Sequence, residues 1–234
     1  GVVHSGSTGG PSSTGTGDNH RVYMVAVPKN EALTMLLSGD VGFDAAASAS
    51  IENGEILLRS GWNTVAFGSG DALTDPSAIQ ANLEIGPGNY TSDLSGVATG
   101  NIFAIADTGS MNFAGDFSLA SYDGTASAQV HVGATGGNDI TVGGYLWLDS
   151  RPAEPISEVL AYVEGGSSLT VGGFANLYSF DENGGSGGTA TLSVDGGSIS
   201  IAGQLQMAAP GYISGADSPT PQSTVGGTVN LTVA

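Results

Sequence analysis

The chain has 234 residues, of which 40% are apolar and only 11% are charged. Its net charge of −18, with only four basic residues, argues against nucleic acid and anionic lipid as partners, because both need clustered Lys and Arg. No apolar run approaches the roughly 20 residues of a membrane-spanning helix, so we expect no membrane insertion. The 39 glycines and the many short β-branched runs instead predict an all-β protein with many turns.

The first elements are predicted near the amino end. Residues 1–18 are rich in Gly, Ser and Thr and are predicted to be a flexible leader or linker, followed by a single domain over 19–234. Strands are predicted over 21–27 and 32–37, around a turn at 28–31. The chain contains no Cys, which favours a bacterial protein exported without disulfides.

Pairs of apolar residues separated by one polar residue then recur at nearly constant spacing. The clearest pairs lie at 111/113, 140/142, 169/171 and 199/201. We extend the series backwards, with slightly shorter steps, to Leu83/Ile85 and Ile56/Leu58. A self-similar period of about 27–30 residues is the signature of a stacked repeat architecture.

Each pair is predicted to open one rung of three short strands. Second strands are predicted over 116–121, 145–150, 174–179 and 204–209, and third strands over 128–132, 159–163, 190–194 and 228–233. Variable inserts at 151–157, 181–188 and 210–227 separate the second strand from the third, as a solenoid tolerates at one corner. The pattern therefore predicts a parallel β-solenoid with three strands per rung.

Strand alternation assigns the second strands an inner and an outer side. The inward residues are predicted to be Phe117/Leu119, Leu146/Leu148, Ala175/Leu177 and Leu205/Met207. The outward residues are predicted to be Asp116/Ser118, Tyr145/Trp147, Phe174/Asn176/Tyr178 and Gln204/Gln206.

This assignment places aromatic residues on the outside of two successive rungs. Tyr145, Trp147, Phe174 and Tyr178 form a candidate binding or packing face, with Tyr145 directly beneath Phe174. An exposed aromatic ladder can stack on sugars or on a partner protein. The alternative is that a loop or another chain covers it.

The segment RVYMVAVPKNEALTMLL at 21–37, with GFD at 42–44 and NGEI at 53–56, resembles the filamentous-haemagglutinin-like large exoproteins of Gram-negative bacteria. The downstream repeat units are similar to those of the same adhesins and of autotransporter passengers. The resemblance implies a right-handed parallel β-helix that is exported and displayed on, or released from, the cell. It also implies an internal or carboxy-terminal piece of a longer protein.

Catalytic chemistry is not expected. Cys is absent, His4 and His20 lie in or beside the leader, and His131 is predicted to face outward between Val130 and Val132. The carboxylates of Asp116, Asp149 and Asp181 are scattered rather than convergent, as a glycan-cleaving β-helix enzyme would need.

No cofactor is expected either, and weak Ca²⁺ binding is left open. The sequence GGND at 136–139 is similar to a Ca²⁺-binding nonapeptide, but it occurs once and that motif works by repetition. No metal ligand is named.

We therefore expect a non-enzymatic, extracellular or surface-displayed adhesive rod. Its partners would be a host or matrix glycan or protein, or further copies of itself. An alternative is a filament or surface-layer subunit that stacks end to end through the last strand at 229–233, whose edge invites pairing. A glycan-active enzyme is the third alternative.

Overall fold

The computed structural model describes the backbone of residues 2–7, 19–26, 33–37, 53–60, 62–65, 73–76, 81–90, 93–98, 100–122, 128–151, 157–180, 188–209 and 227–233. Within these ranges it describes the side chains from residue 82 onward, except at 122. These ranges hold strands joined by turns and bends, and no helix. No α-helix with the length and apolarity of a membrane span occurs among the described residues.

Three sheets run along the coil, and each regular turn of the chain adds one parallel strand to each sheet. The first sheet contains β8 (Gly88–Tyr90), β11 (Met111–Phe113), β14 (Asp139–Val142), β17 (Ser168–Val171) and β20 (Ser198–Ile201). The second sheet contains β1 (Val2–Ser7), β2 (Asn19–Ala26), β4 (Asn53–Ser60), β9 (Asp93–Ala98), β12 (Phe117–Tyr122), β15 (Leu146–Arg151), β18 (Ala175–Ser179) and β21 (Leu205–Ala208). The third sheet contains β3 (Leu33–Leu37), β7 (Ala81–Ile85), β10 (Ile102–Ala106), β13 (Ala128–Ala134), β16 (Ser157–Glu164), β19 (Thr189–Asp195) and β22 (Thr228–Val233).

Three regular turns lie between β11 and β20. Met111 pairs with Ile140, Ile140 with Leu169, and Leu169 with Ile199, which are the partners that the repeat predicts. The second and third strands follow within one or two residues of their predicted starts. The prediction of a parallel β-solenoid with three strands per rung is confirmed.

The backward extension of the repeat is wrong. Met111 pairs not with Leu83 but with Gly88, so this turn of the coil is shorter than the later ones. Leu83 belongs to the third sheet beside Ile102, and Ile56 to the second sheet beside Leu94. The mistake has a physical cause, since inward apolar pairs look alike in all three strands and spacing alone cannot say which sheet a pair joins.

The amino-terminal region departs further from the repeat. Val2–Ser7, inside the segment expected to be a leader, is strand β1 and pairs antiparallel with β2. Residues 8–18 lie outside the described residues. The strands predicted at 21–27 and 32–37 are found as β2 and β3, in different sheets, and β5 (Trp62–Val65) pairs antiparallel with β6 (Leu73–Pro76).

The core is a set of inward columns, as the alternation predicts. Phe117, Leu119, Leu146, Leu148, Ala175 and Leu177 are at most 1% exposed. Leu205 and Met207, in the last turn, are only half-buried. Each fully buried Leu stabilises the coil by about 1.5–3 kcal/mol relative to exposure.

The corner between the second and third strands contains a buried serine column that the sequence reading missed. Ser121 and Ser150 are fully buried and donate to the carbonyl oxygens of Gly100 and Ala128, at 2.8 and 3.2 Å. Ser157 donates to the Ser150 carbonyl at 2.8 Å and lies 2.6 Å from the hydroxyl of Ser179. These bonds satisfy backbone groups at the corner where the inserts interrupt the repeat. Residues 152–156, 181–187 and 210–226 of those inserts lie outside the described residues.

Candidate binding face

The outer side of the second sheet is ordered in columns because its strands are in parallel register. The residues that immediately precede or begin successive strands form one column, which we call the corner column: Asp93, Asp116, Tyr145, Phe174 and Gln204. Two residues further along each strand lies a second column: Ser95, Ser118, Trp147, Asn176 and Gln206.

The first two residues of the corner column, Asp93 and Asp116, form hydrogen bonds with the backbone of the next turn. The Asp93 carboxylate accepts a hydrogen bond from the Asp116 N–H at 2.8 Å, and the Asp116 carboxylate accepts one from the Tyr145 N–H at 3.0 Å. Each carboxylate therefore caps the backbone of the next turn. Asp116, noted above as a scattered acid, has a structural partner.

The middle of the corner column is aromatic. The rings of Tyr145 and Phe174 stack with centroids 4.9 Å apart and planes inclined by only 4°. That separation matches the distance of about 4.7–4.9 Å between neighbouring strands, so the backbone ladder sets the stack. The prediction that Tyr145 lies beneath Phe174 is confirmed. Phe174 is 39% exposed and Tyr145 is half-buried.

A second aromatic group lies further along the same strands. The ring of Tyr178 is tilted against that of Trp147 at 5.3 Å and against that of Phe180 at 5.9 Å. The Arg151 guanidinium lies 4.7 Å from the centre of the Phe180 ring. Trp147 and Tyr178 are half-buried, so this part of the predicted face is packed rather than freely exposed.

Arg151 also pairs with a buried acid. Its guanidinium contacts the Asp149 carboxylate at 2.7 and 2.9 Å, and Asp149 is fully buried. An unpaired carboxylate there would be strongly destabilising, so the ion pair is part of the structure of the face. Arg151 and Phe180 were missed by the sequence reading, although Phe180 continues the outward series 174, 176, 178.

The polar members of the face are amides. Gln204 and Gln206 are exposed, as predicted. Asn176 lies on the outer side between the buried Ala175 and Leu177, but it is only 6% exposed because the neighbouring strands carry Trp147 and Gln206 beside it.

His131 faces outward from the third sheet, as predicted, but it is packed rather than free. Val130 and Val132 on either side of it are fully buried, and its ring meets that of Phe103 edge-on at 5.2 Å. Burial lowers the pKa of His131, and the charge of Glu158 offsets this in part from 3.6 Å. His4, His20 and Asp181 lie outside the residues whose side chains are described.

The GGND segment forms a turn. Gly136 and Gly137 have φ of 66° and 81°, a conformation that Gly adopts without strain. The Asn138 amide donates to the carbonyl oxygens of Thr135 and Asp107, and Asp139 accepts a hydrogen bond from Ser168. Across the described part of the chain, no three His, Asp or Glu side chains converge as a metal site would need.

Comparison with known proteins finds no matching family model, no matching curated protein and no matching solved structure. The β-solenoid is therefore shown by the strand register and the sheet topology of the structure alone. The likeness to large exoproteins, which covers about residues 20–234 and is most specific at 21–56, stays a prediction from the sequence.

Proposed function

We propose that this chain is a non-enzymatic, secreted or surface-displayed rod segment that attaches to a host or matrix glycan or protein through its exposed faces. The observation that carries the proposal is the stacked pair Tyr145–Phe174, with Phe174 39% exposed on the outside of a rigid ladder. Large side chains of this kind contribute most of the energy of many interfaces.

The rings of Tyr145 and Phe174 are held in place before a ligand binds. The parallel hydrogen bonds hold the two ring-bearing strands in register, and the stack restricts the rings further. A ligand that covers these rings therefore loses little binding free energy to the ordering of their side chains. The resemblance to exported adhesins supports an extracellular location, and a chain without Cys forms no disulfide that would hinder its export in an unfolded state.

The test replaces Tyr145 with the residue type that occupies the same column in two other turns of the coil. Asp occupies the corner column in two lower turns and caps the next N–H there, so Tyr145→Asp should remove a ring without unfolding the coil. We expect adhesion to coated surfaces or cells to fall about tenfold, the equivalent of 1.4 kcal/mol. The double variant Trp147→Ala/Tyr178→Ala should also weaken adhesion.

Phe103→Ala, on the outer side of the third sheet, is the matched control and should leave adhesion unchanged. Each variant is first shown by circular dichroism to be folded. If the second-sheet variants adhere as well as the unaltered chain does, the aromatic face is not the binding surface.

A second function, end-to-end stacking into a filament, is favoured by a different observation. Among the described residues, β22 has a neighbouring strand on one side only. Val229, Leu231 and Val233 in it are 51%, 66% and 74% exposed, although they continue the columns of Ala190, Leu192 and Val194. An apolar strand edge of this kind invites a further strand, here from a second copy.

Electron microscopy and sedimentation test the filament. Concentration-dependent fibres that Leu231→Lys abolishes are the expected result. Single short rods at every concentration would count against it.

A further inference from the structure

A groove of about 460 Å³ lies beside the aromatic stack. It is lined by Gly173, Phe174, Asn176, Gly203, Gln204 and Gln206. Its size falls in the range of about 300–1,000 Å³ that is typical of small-molecule sites. The sequence pattern placed Phe174 in the candidate face, and it placed Asn176, Gln204 and Gln206 at outward positions without a predicted role.

The groove lies at the position where the corner column has no third aromatic ring. Above Phe174 the corner column continues with Gln204 rather than with a third ring, so the stack ends at Phe174. The corner is lined by Gly173 and Gly203, where a Cβ on Gly203 would meet the Gly173 carbonyl oxygen at 2.9 Å. Glycine is therefore needed here for the two turns to stack closely, and neither residue adds a side chain to the groove.

Three amide side chains line the groove together with the ring of Phe174. Asn176 and Gln206 are neighbours in one column, and Gln204 lies above Phe174 in the other. The hydroxyl of Tyr178 donates to Oε1 of Gln206 at 2.7 Å, which fixes that amide and leaves its N–H groups as donors. Within the described part of the chain, the side chains of Asn176 and Gln204 form no hydrogen bond, so their donors and acceptors can serve a ligand.

We propose that this groove is a binding site for a neutral saccharide. The C–H face of a sugar ring is apolar and packs on an aromatic ring, while its hydroxyl groups both donate and accept, as amides do. No charged side chain lines the groove. The net charge of −18 further disfavours acidic glycans.

This inference rests on the proposed adhesive function and narrows it to one ligand class. The test is a titration of the purified chain with neutral oligosaccharides and, in parallel, with an acidic oligosaccharide of similar length. Binding is followed by calorimetry and by chemical shifts of the side-chain amides. We expect the neutral ligands alone to bind and to shift the amide signals of Asn176 and Gln206.

Three variants locate the site. Phe174→Leu removes the ring but keeps an apolar side chain, and Gln204→Ala removes an exposed amide, so each should fold and weaken binding about tenfold. Tyr178→Phe keeps its ring and loses only the bond to Gln206, so it should weaken binding by a smaller factor and alter the Gln206 signal. Phe103→Ala on the third sheet should bind as the unaltered chain does.

The results separate this inference from the broader proposal. Neutral saccharides that do not bind, that bind equally to the groove variants, or that bind less well than acidic ones would overturn the inference. If adhesion to protein-coated surfaces still depends on Tyr145 in that case, the proposed function stands without the saccharide site. A chain that adheres to nothing contradicts the proposed function itself.

Discussion

Glycines at the corner between the first and second strands offer a sharp test of how the turns stack. In Gly172→Ala, the new Cβ would lie 2.4 Å from the carbonyl oxygen of Gly143 in the neighbouring turn. Ordinary contact begins at 3.4 Å, so the two turns would have to separate locally by about 1 Å.

That separation would disturb the hydrogen bonds on either side of the contact. Gly172 donates to the carbonyl oxygen of Val142 and Gly173 to that of Gly144, each at 2.8 Å. A further separation of this size breaks both. Each lost bond costs about 0.5–1.5 kcal/mol, and the remaining repulsion brings the expected total to about 2–3 kcal/mol.

The control is Gly166, which is glycine for a different reason. It has φ of 83° and a Cβ there would meet nothing within 4 Å, so Gly166→Ala suffers only backbone strain of about 1–2 kcal/mol. Asn tolerates positive φ better than Ala does, so Gly166→Asn should recover part of that loss. At Gly172, where space is the limit, Asn should be no better than Ala.

Urea unfolding followed by circular dichroism measures all four variants, with the slope checked for a change in cooperativity. Two outcomes would refute the reasoning. One is a cost below about 1 kcal/mol for Gly172→Ala, and the other is recovery by Asn at both positions.

Three further predictions concern the core, the serine column and the third sheet. Leu148→Ala removes a fully buried side chain and should lower the free energy of unfolding by about 2–5 kcal/mol, measured by urea unfolding. Ser157→Ala leaves a buried carbonyl without its donor and should cost about 1–3 kcal/mol in the same assay, whereas Ser168→Ala, which loses only an exposed bond, should cost under about 0.5 kcal/mol. Equal costs would contradict the role of the serine column. Because burial lowers the pKa of His131, the unfolded chain binds its proton first as the pH falls, so stability should drop below about pH 6.5. His131→Gln should flatten that part of the pH profile, and an unchanged profile would show that the Glu158 charge cancels the effect of burial.

The fold could be predicted from the sequence in the part of the chain where successive turns repeat the same residue pattern. From Met111 onward, an apolar pair, a glycine corner and an alternating second strand recur together, and any one confirms the others. Upstream, the inward pair Leu83/Ile85 is also followed closely by glycines, Gly86 and Gly88, so the local pattern resembles that of a first strand. Only the pairing of Leu83 with Ile102 shows that it belongs to the third sheet.

The candidate face was predictable to the extent that it depends on register. Tyr145 and Phe174 stack because the constant step of the repeat places them in one column, and that step is visible in the sequence. The role of Asp149 was not predictable, since its position suggests an exposed acid. It is buried because the Arg151 side chain folds back to pair with it, a contact that no periodicity encodes.

The corner column shows how such a coil can change its surface without changing its core. Asp93 and Asp116 use their side chains to cap the next turn, whereas Tyr145 and Phe174 use theirs to form a stack. The strands that begin at these positions remain parallel and in register in both cases. The stability that comes from the inward columns and the chemistry of the outward column can therefore vary separately. If the aromatic pair is the binding surface, exchanging a ring for a carboxylate should alter adhesion far more than it alters the unfolding of the rod.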